Sequence, residues 1–239
     1  MHAIVIPAYN EAVTLRDLAV RVLKISDCVI VVDDGSTDDT AKVVQDLPVV
    51  LLRNGENQGK AASLWRGMQR ALQLGAEAVV TLDGDGQHAP EDIPRLIEAG
   101  RGHPRHIIIG ARLKDASVIP RIRYIANRIA NFWISWACGQ RVVDSQSGFR
   151  LYPATLLGVL SLRHDKRRGF VFESEVLIEA ARLGYASLPV EIPAVYRPDA
   201  RASHYRQCDS WRITRMVAWR LLSRGFYLPG LYRAFFKRA

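Results

Sequence analysis

The chain has 239 residues, 49% of them apolar, and a formal net charge of +9. That length holds one large α/β domain or two small ones, with a core large enough to need no covalent staples. Cys28, Cys138 and Cys208 are scattered, without C-x-x-C or Cys/His pairing. This excludes a disulfide framework and a zinc module, and reads as reduced thiols in a cytosolic setting, packed as small hydrophobes.

In chain order, short β-rich apolar runs alternate with helical patterns. Residues 3–6 predict a strand, and Leu15, Leu18, Val22 and Leu23 share one helical face. Residues 28–32 predict a strand, 40–47 a short helix behind the caps Ser36 and Thr37, and 49–52 another strand. A helix over 60–74, a strand over 78–82, a helix over 90–100 and a strand over 107–109 follow. Strand–helix alternation with short connections predicts a mostly parallel sheet covered on both faces.

The second half reads differently. Ile125, Ile129, Phe132, Trp133 and Trp136 form one helical stripe. It fits a core-facing helix, with a lipid-facing stripe flanked by Arg121, Arg123 and Arg128 as the alternative. Residues 144–150 (DSQSGFR) predict a polar loop, 172–183 a helix opening with Glu173 and Glu175, and 186–192 a last strand. A basic loop over 197–206 leads to interrupted helices over 211–224 and 227–237.

The charge is concentrated in this tail. Between Arg197 and Ala239 stand ten Lys/Arg and two Asp/Glu, against 23 and 22 in the other residues. A balanced body with a basic tail calls for an anionic surface, nucleic acid or lipid. Met1 leads at once into a strand, so no signal peptide is expected. The longest charge-free run in the tail, 225–232, is far short of the roughly 20 residues that cross a bilayer.

In open α/β sheets ligands sit beyond the carboxyl ends of the strands. Those ends read Pro7-Ala8-Tyr9-Asn10-Glu11, then Asp33-Asp34-Gly35-Ser36, then Asn54 to Lys60, then Asp83-Gly84-Asp85-Gly86-Gln87, then Gly110-Ala111-Arg112. Four of the five are polar and marked by glycine or proline, which describes one site along one edge. Asp83 and Asp85, one residue apart and freed by glycines, suit a hard divalent cation, which prefers oxygen and keeps company with phosphates. The dinucleotide fingerprint G-x-G-x-x-G is absent after the first strand. Gly55 to Ala61 misses the P-loop by one residue of spacing and by its hydroxyl. On an acidic edge a diphosphate needs an intervening cation. Asp34 suits a ring N–H such as that of uracil or guanine, and backbone beside Pro7 and Tyr9 suits base and ribose.

PAYNE, VVDDGSTDDT, RNGENQGK, LDGDGQH, DSQSGFR and FESE, in this order over about residues 1–205, resemble the inverting family 2 glycosyltransferases, in particular the polyprenyl-phosphate (dolichyl-phosphate) mannosyl- and glucosyltransferases. The resemblance implies a GT-A fold, a nucleotide-diphosphate sugar donor such as a UDP- or GDP-hexose, and Mg2+ or Mn2+. It implies that Pro7, Ala8, Tyr9, Glu11, Asp34, Gly35, Lys60, Asp83 and Gly84 surround the nucleotide. Asp83, Asp85 and Gln87 would hold the metal. Arg112, Arg121, Arg123, Ser147, Arg201 and Arg206 would lie toward the acceptor, with His204 where relatives carry a basic phosphate clamp. Asp85, Asp144, Arg150, Glu173 and Glu175 are the catalytic candidates.

Simpler roles stand beside these. As alternatives, Pro7 and Tyr9 simply end a strand, Asp144 and Arg150 pair to pin their loop, and Glu173 suits a first helical turn. His88, His103, His106 and His164 read as surface residues.

The expected organisation is a catalytic domain over 1–205, with a nucleotide-sugar half (1–112) and an acceptor half (113–205), and a basic membrane-surface tail over 206–239. The expected enzyme is peripheral on the cytoplasmic face of a membrane and moves a hexose to a polyprenyl phosphate. Transfer to a neutral hydroxyl is the rival within the class, and would need Glu173, Glu175 or Asp144 as base. A nucleotidyltransferase would want a glycine-rich basic loop after the first strand. A nucleic-acid-binding module leaves the acidic edge without a role, so no nucleic-acid partner is expected.

Overall fold

The structure is a computed structural model describing residues 1–112, 121–162, 169, 171–193 and 207–236, with backbone only for 121–123 and 207–211. Its strands are β1 (His2–Ala8), β2 (Val29–Asp33), β3 (Val50–Arg53), β4 (Ala78–Thr81), β5 (His106–Ala111), β6 (Arg150–Pro153) and β7 (Ala186–Glu191). They form one sheet in the order β3-β2-β1-β4-β6-β5-β7. All pairings are parallel except the two made by β6, which runs antiparallel between β4 and β5.

Alternation along the strands sends side chains to both faces. Ala3 and Val5 of β1 join Ile30 and Val32 of β2 under α2 (Lys60–Gln73). Ile4 and Ile6 join Val29 and Val31 under α1 (Leu15–Leu23), with α3 (Ile93–Gly102) further along the same face. The α2 face continues through α4 (Arg121–Cys138), the short α5 (Ala154–Leu157) and α6 (Val171–Arg182). Of the tail helices, α7 (Gln207–Leu222) buries Ile213, Met216, Val217 and Leu221 in this same core. The last helix, α8 (Leu228–Phe235), stacks Phe235 on Phe132 of α4 at 5.1 Å. Among the described residues no helix is long and apolar enough to cross a membrane, and Cys28 and Cys138 are free thiols. Burial pushes the Cys138 thiol up to about 12.

Sheet order sets the site. β1 is flanked by β2 on one side and β4 on the other, so the chain reverses its direction of travel across the sheet at β1. The crevice at such a switch point is where open α/β sheets bind ligands.

Several expectations are corrected. Residues 40–47 form only a single 3-10 turn, Lys42–Val44. Ser36 and Thr37 do not cap it. Their side chains meet Asn10 of the β1 loop instead, and a hydroxyl so engaged is lost to helix capping. The helix over 90–100 opens with a 3-10 turn, Pro90–Asp92, before α3. Strand β6 and helix α5 were not anticipated.

Of the apolar stripe of α4 only Trp136 packs against the core. Ile125 is 49% exposed, Ile129 55%, Phe132 41% and Trp133 42%, while Ile134, Ala137 and Cys138 are the residues that pack inward. The helix packs mainly on α6, α7 and α8, and the residues turned away from them stay exposed.

Helix α2 lies close on β1 because Gly67 leaves room. A Cβ there would stand 2.4 Å from Val5 Cγ1 and 3.0 Å from Val32 Cγ2. Gly67→Ala should gain ~1 kcal/mol of helix propensity and lose about 1–3 kcal/mol to overpacking. The expected net result is a lower urea midpoint, read by circular dichroism.

Candidate active site

The ends of β1 and β2 are stitched together by short polar side chains. Asn10, at φ +57°, donates its backbone N–H to Ser36 Oγ at 2.9 Å, and its Oδ1 accepts from Thr37 N at 2.9 Å. Glu11 N donates to Thr40 Oγ1 at 2.8 Å. Asn tolerates the left-handed region better than most residues, because its side chain bonds locally. The bend carries Tyr9 and Glu11 over the switch point. Thr14 Oγ1 then ties it to the β4 loop by donating to Gly84 O at 2.7 Å. Gly84 lies so near that a Cβ would be 3.2 Å from Pro7 O and 3.6 Å from Ala8 Cβ.

Asp34 organises the third loop. Its carboxylate is buried and accepts from Asn54 Nδ2 at 2.7 Å, Gln58 N at 2.9 Å and Gly59 N at 2.8 Å. A carboxylate has about four acceptor positions, so about one remains open. Gly35, at φ +69°, runs against this loop, where a Cβ would sit 2.4 Å from the Glu56 carbonyl carbon. The loop ends at Lys60, the first residue of α2.

Lys60 is the centre of the site. Its Nζ lies 2.8 Å from Asp83 Oδ1 and 3.3 Å from Glu173 Oε2, so α2, the β4 loop and the start of α6 converge on one cation. Burial alone would lower the lysine's pKa, but Asp83 and Glu173 outweigh it and the pKa is raised. Burial would likewise raise Asp83, but Lys60 outweighs it and holds that carboxyl below its usual range. Asp85 goes the other way, raised by burial and by the charge of Asp83. Its Oδ1 accepts from Gln87 N at 3.0 Å.

His88 is not the surface residue expected. It is buried with its ring 5.3 Å from Phe149, and burial together with Arg112 brings its pKa down to about 4. Sequence reading missed it, although its place directly after Gln87 was a signal.

The loop over 144–150 is the opposite wall. Gly148 packs on Asp83, where a Cβ would stand 2.5 Å from Oδ2. Asp144, at φ +50°, pairs with Arg112: its Oδ2 takes both Nε and the backbone N at 3.1 Å. Ser147 is buried, and its Oγ accepts from Phe149 N at 3.3 Å.

The Asp144–Arg150 pair considered from sequence is therefore not made. Arg150, fully buried, donates to the carbonyls of Ser147, Glu173 and Ser145, each at 2.7 Å. That corrects its assignment as a catalytic group: it fixes the loop to α6 and has no surface left for substrate. Glu175 also departs from expectation. Two residues beyond Glu173 on α6, it is turned to Arg220 of α7, whose Nη2 lies 2.8 Å away.

Arg121 and Arg123 belong to α4, but their side chains lie outside the described residues. Arg201, Arg206, His164 and His204 lie outside them altogether.

Among the described residues no three His, Cys, Asp or Glu side chains gather as a metal cluster. Asp83 and Asp85 offer two carboxylates, and burial together with the charge of Asp83 raises the pKa of Asp85. A hard oxygen pair of this kind fits Mg2+ or Mn2+, which take one or two carboxylates and complete their shell with water and substrate phosphate.

A mostly parallel sheet with helices on both faces and an acidic crevice at its switch point is here the GT-A fold, and the enzyme is a glycosyltransferase. The family model described as "Glycosyl transferase family 2" matches residues 3–169, and the chain belongs to that family. It is 29% identical to the UDP-N-acetylglucosamine–dolichyl-phosphate N-acetylglucosaminyltransferase of Methanococcus voltae, over 79% of this chain and 84% of that protein. It is 27% identical to the undecaprenyl-phosphate mannosyltransferase of Micrococcus luteus, over 92% and 94%. The crystal structure of glucosyl-3-phosphoglycerate synthase from Mycobacterium tuberculosis in complex with Mn2+, UDP and phosphoglyceric acid superposes with a TM-score of 0.64. That match covers 94% of this chain and 78% of that one at 24% identity, a likeness of fold.

Two substitutions separate site from scaffold. Gly148→Ala should displace Asp83 and lower sugar transfer by about 10²-fold, since small misplacements at a reacting centre have effects of that size. Its melting temperature should change little. Arg150→Met should cost about 3 kcal/mol or more in urea denaturation, because three buried carbonyls lose their donor at ~1–3 kcal/mol each.

Proposed function

We propose that this enzyme moves a hexose, with inversion, from a nucleoside-diphosphate sugar to a polyprenyl phosphate at a membrane surface. The observation that carries the reading is the state of the three candidate bases. Glu173 is paired with Lys60, Glu175 with Arg220 and Asp144 with Arg112. A carboxylate bound to a cation has to leave that ion pair before it can reach an acceptor hydroxyl. An acceptor phosphate monoester has a second pKa of about 6 and is mostly dianionic at neutral pH, so it needs no base. The names of the Methanococcus voltae and Micrococcus luteus relatives, dolichyl-phosphate and undecaprenyl-phosphate transferases, support the same acceptor class.

In this reading Pro7, Tyr9 and Glu11 line the nucleoside, with Asp34 beneath the base. Lys60 faces the donor diphosphate from the first turn of α2. Asp83 and Asp85, with Gln87, would hold Mg2+ or Mn2+, which supplies charge neutralisation of the departing diphosphate. The acceptor oxygen forms the new bond to the anomeric carbon as the bond to the diphosphate breaks, and the electron pair leaves on the nucleotide. Arg112, braced by Asp144, is the described cation on the acceptor side. Arginine forks suit phosphate. The basic segment after Arg197 would hold the protein to anionic lipid, at ~1 kcal/mol per residue near the surface.

A thermal-shift panel of UDP, GDP, CDP and TDP with and without Mn2+ tests the donor side. One diphosphate should raise the melting temperature only with Mn2+, and Asp85→Asn should abolish that rise. Stabilisation that ignores metal, or none by any of them, contradicts the donor assignment.

On the acceptor side, Glu173→Gln, Glu175→Gln and Asp144→Asn should each retain measurable transfer to a short polyprenyl phosphate. The rate should rise with the acceptor's second ionisation near ~6 and level off above it. If one amide variant binds both substrates and loses all chemistry, the acceptor is a hydroxyl and that residue its base.

A further inference from the structure

A cavity of about 450 Å³ lies outside the acidic crevice, between α4, α8 and residues 141–143. Its size suits a small amphiphile. Phe132 and Phe235 form an apolar wall with Val142 and Val143, and two guanidiniums, Arg128 and Arg141, stand in the lining. Among the described residues no acidic side chain lines it. Arg128 rests over the Tyr124 ring at 5.8 Å, and among the described residues neither arginine pairs with a carboxylate. Two cations with no carboxylate partner among the described residues, beside aromatic and aliphatic walls, match an amphiphile with an anionic head.

The surroundings favour a lipid over a protein partner. The two helices that form the cavity also carry exposed apolar residues, Ile125, Ile129 and Trp133 on α4, and Tyr232 and Phe236 at the end of α8. Aromatic and aliphatic side chains interleaved with arginine are the composition of a bilayer interface. The following chain is basic as well, with ten Lys/Arg against two Asp/Glu after residue 196. Two other lining residues bond the segment 142–145, which leads into the loop over 144–150. Asn131 Oδ1 accepts from Ser145 N at 2.8 Å, and Ser135 Oγ accepts from Val142 N at 3.0 Å.

We infer that this cavity binds one anionic phospholipid of the bilayer, its phosphate between Arg128 and Arg141 and its chain against Phe132 and Phe235. The bound lipid braces residues 142–145 through Asn131 and Ser135. This deepens the membrane-surface part of the proposed function and is independent of the donor and acceptor assignments.

The test uses the full chain with monomeric dioctanoyl-phosphatidylglycerol, followed by tryptophan fluorescence and by hydrogen–deuterium exchange. Neither sugar nucleotide nor metal is present, so failure here is distinguishable from failure of the transferase reading. Saturable binding is expected, at least tenfold tighter than that of dioctanoyl-phosphatidylcholine. It should weaken at least tenfold in the double variant Arg128→Ala/Arg141→Ala and be unchanged in Arg16→Ala, a remote surface control. Amide exchange over 142–145 should slow on binding to the unaltered chain. Equal affinity for both headgroups, or undiminished binding by the double variant, overturns the site. So does a short polyprenyl phosphate that binds there while phosphatidylglycerol does not, since the cavity would then belong to the acceptor. Binding without slower exchange overturns the bracing of the loop.

Discussion

The meeting of Lys60 with Asp83 and Glu173 is the constraint on which this site rests. Carboxylates gathered in a partly buried crevice repel one another, and burial penalises each of them further. One lysine offsets this for Asp83 while also pairing with Glu173, and Asp85 is left with a raised pKa. The ammonium has to come from the first turn of α2, which requires the β3–α2 loop to end in one place. Asp34 supplies that by accepting three hydrogen bonds from residues 54–59. The invariable cost of a buried unpaired charge thus reaches from the crevice back into the loop that builds it.

The loop over 144–150 shows the same economy of parts. It is a wall of the crevice because Gly148 allows contact with Asp83. It keeps its shape because Arg150 gathers three carbonyls from inside, and it is aimed because Asp144 holds Arg112. Its outer side hangs from α4 by Asn131 and Ser135, while the opposite side of that helix carries exposed aromatic residues. Helix α4 therefore connects the surface of the molecule to the wall of the crevice through two hydrogen bonds, with no intervening flexible segment among the described residues.

The first half of the fold was legible in the sequence. Strands β1 to β5 and helices α1 to α3 fall within a few residues of their predicted places, because each carries an apolar period that only one kind of element satisfies. The elements that escaped have no such period. β6 is four residues, RLYP, beginning with arginine and ending with proline, a composition that argues against a central strand. It becomes one because Arg150 finds three carbonyls in the adjacent loop and α6. The stripe on α4 was equally ambiguous: a helix with apolar residues on two sides does not declare which side its neighbouring helices will cover.

For the site, the sequence by itself determined the chemical inventory: an acidic pair at the end of a strand, a lysine opening a helix, polar loops along one edge, and a basic tail. These follow from local composition, since strand ends and turn residues are set by neighbours along the chain. Only the tertiary structure decided who pairs with whom. It gave Asp144 to Arg112 rather than Arg150, turned Glu175 to Arg220, and buried His88 against Phe149. Partner choice among charged groups depends on distance and desolvation in three dimensions, and residues tens of positions apart reach contact only once the sheet order is fixed.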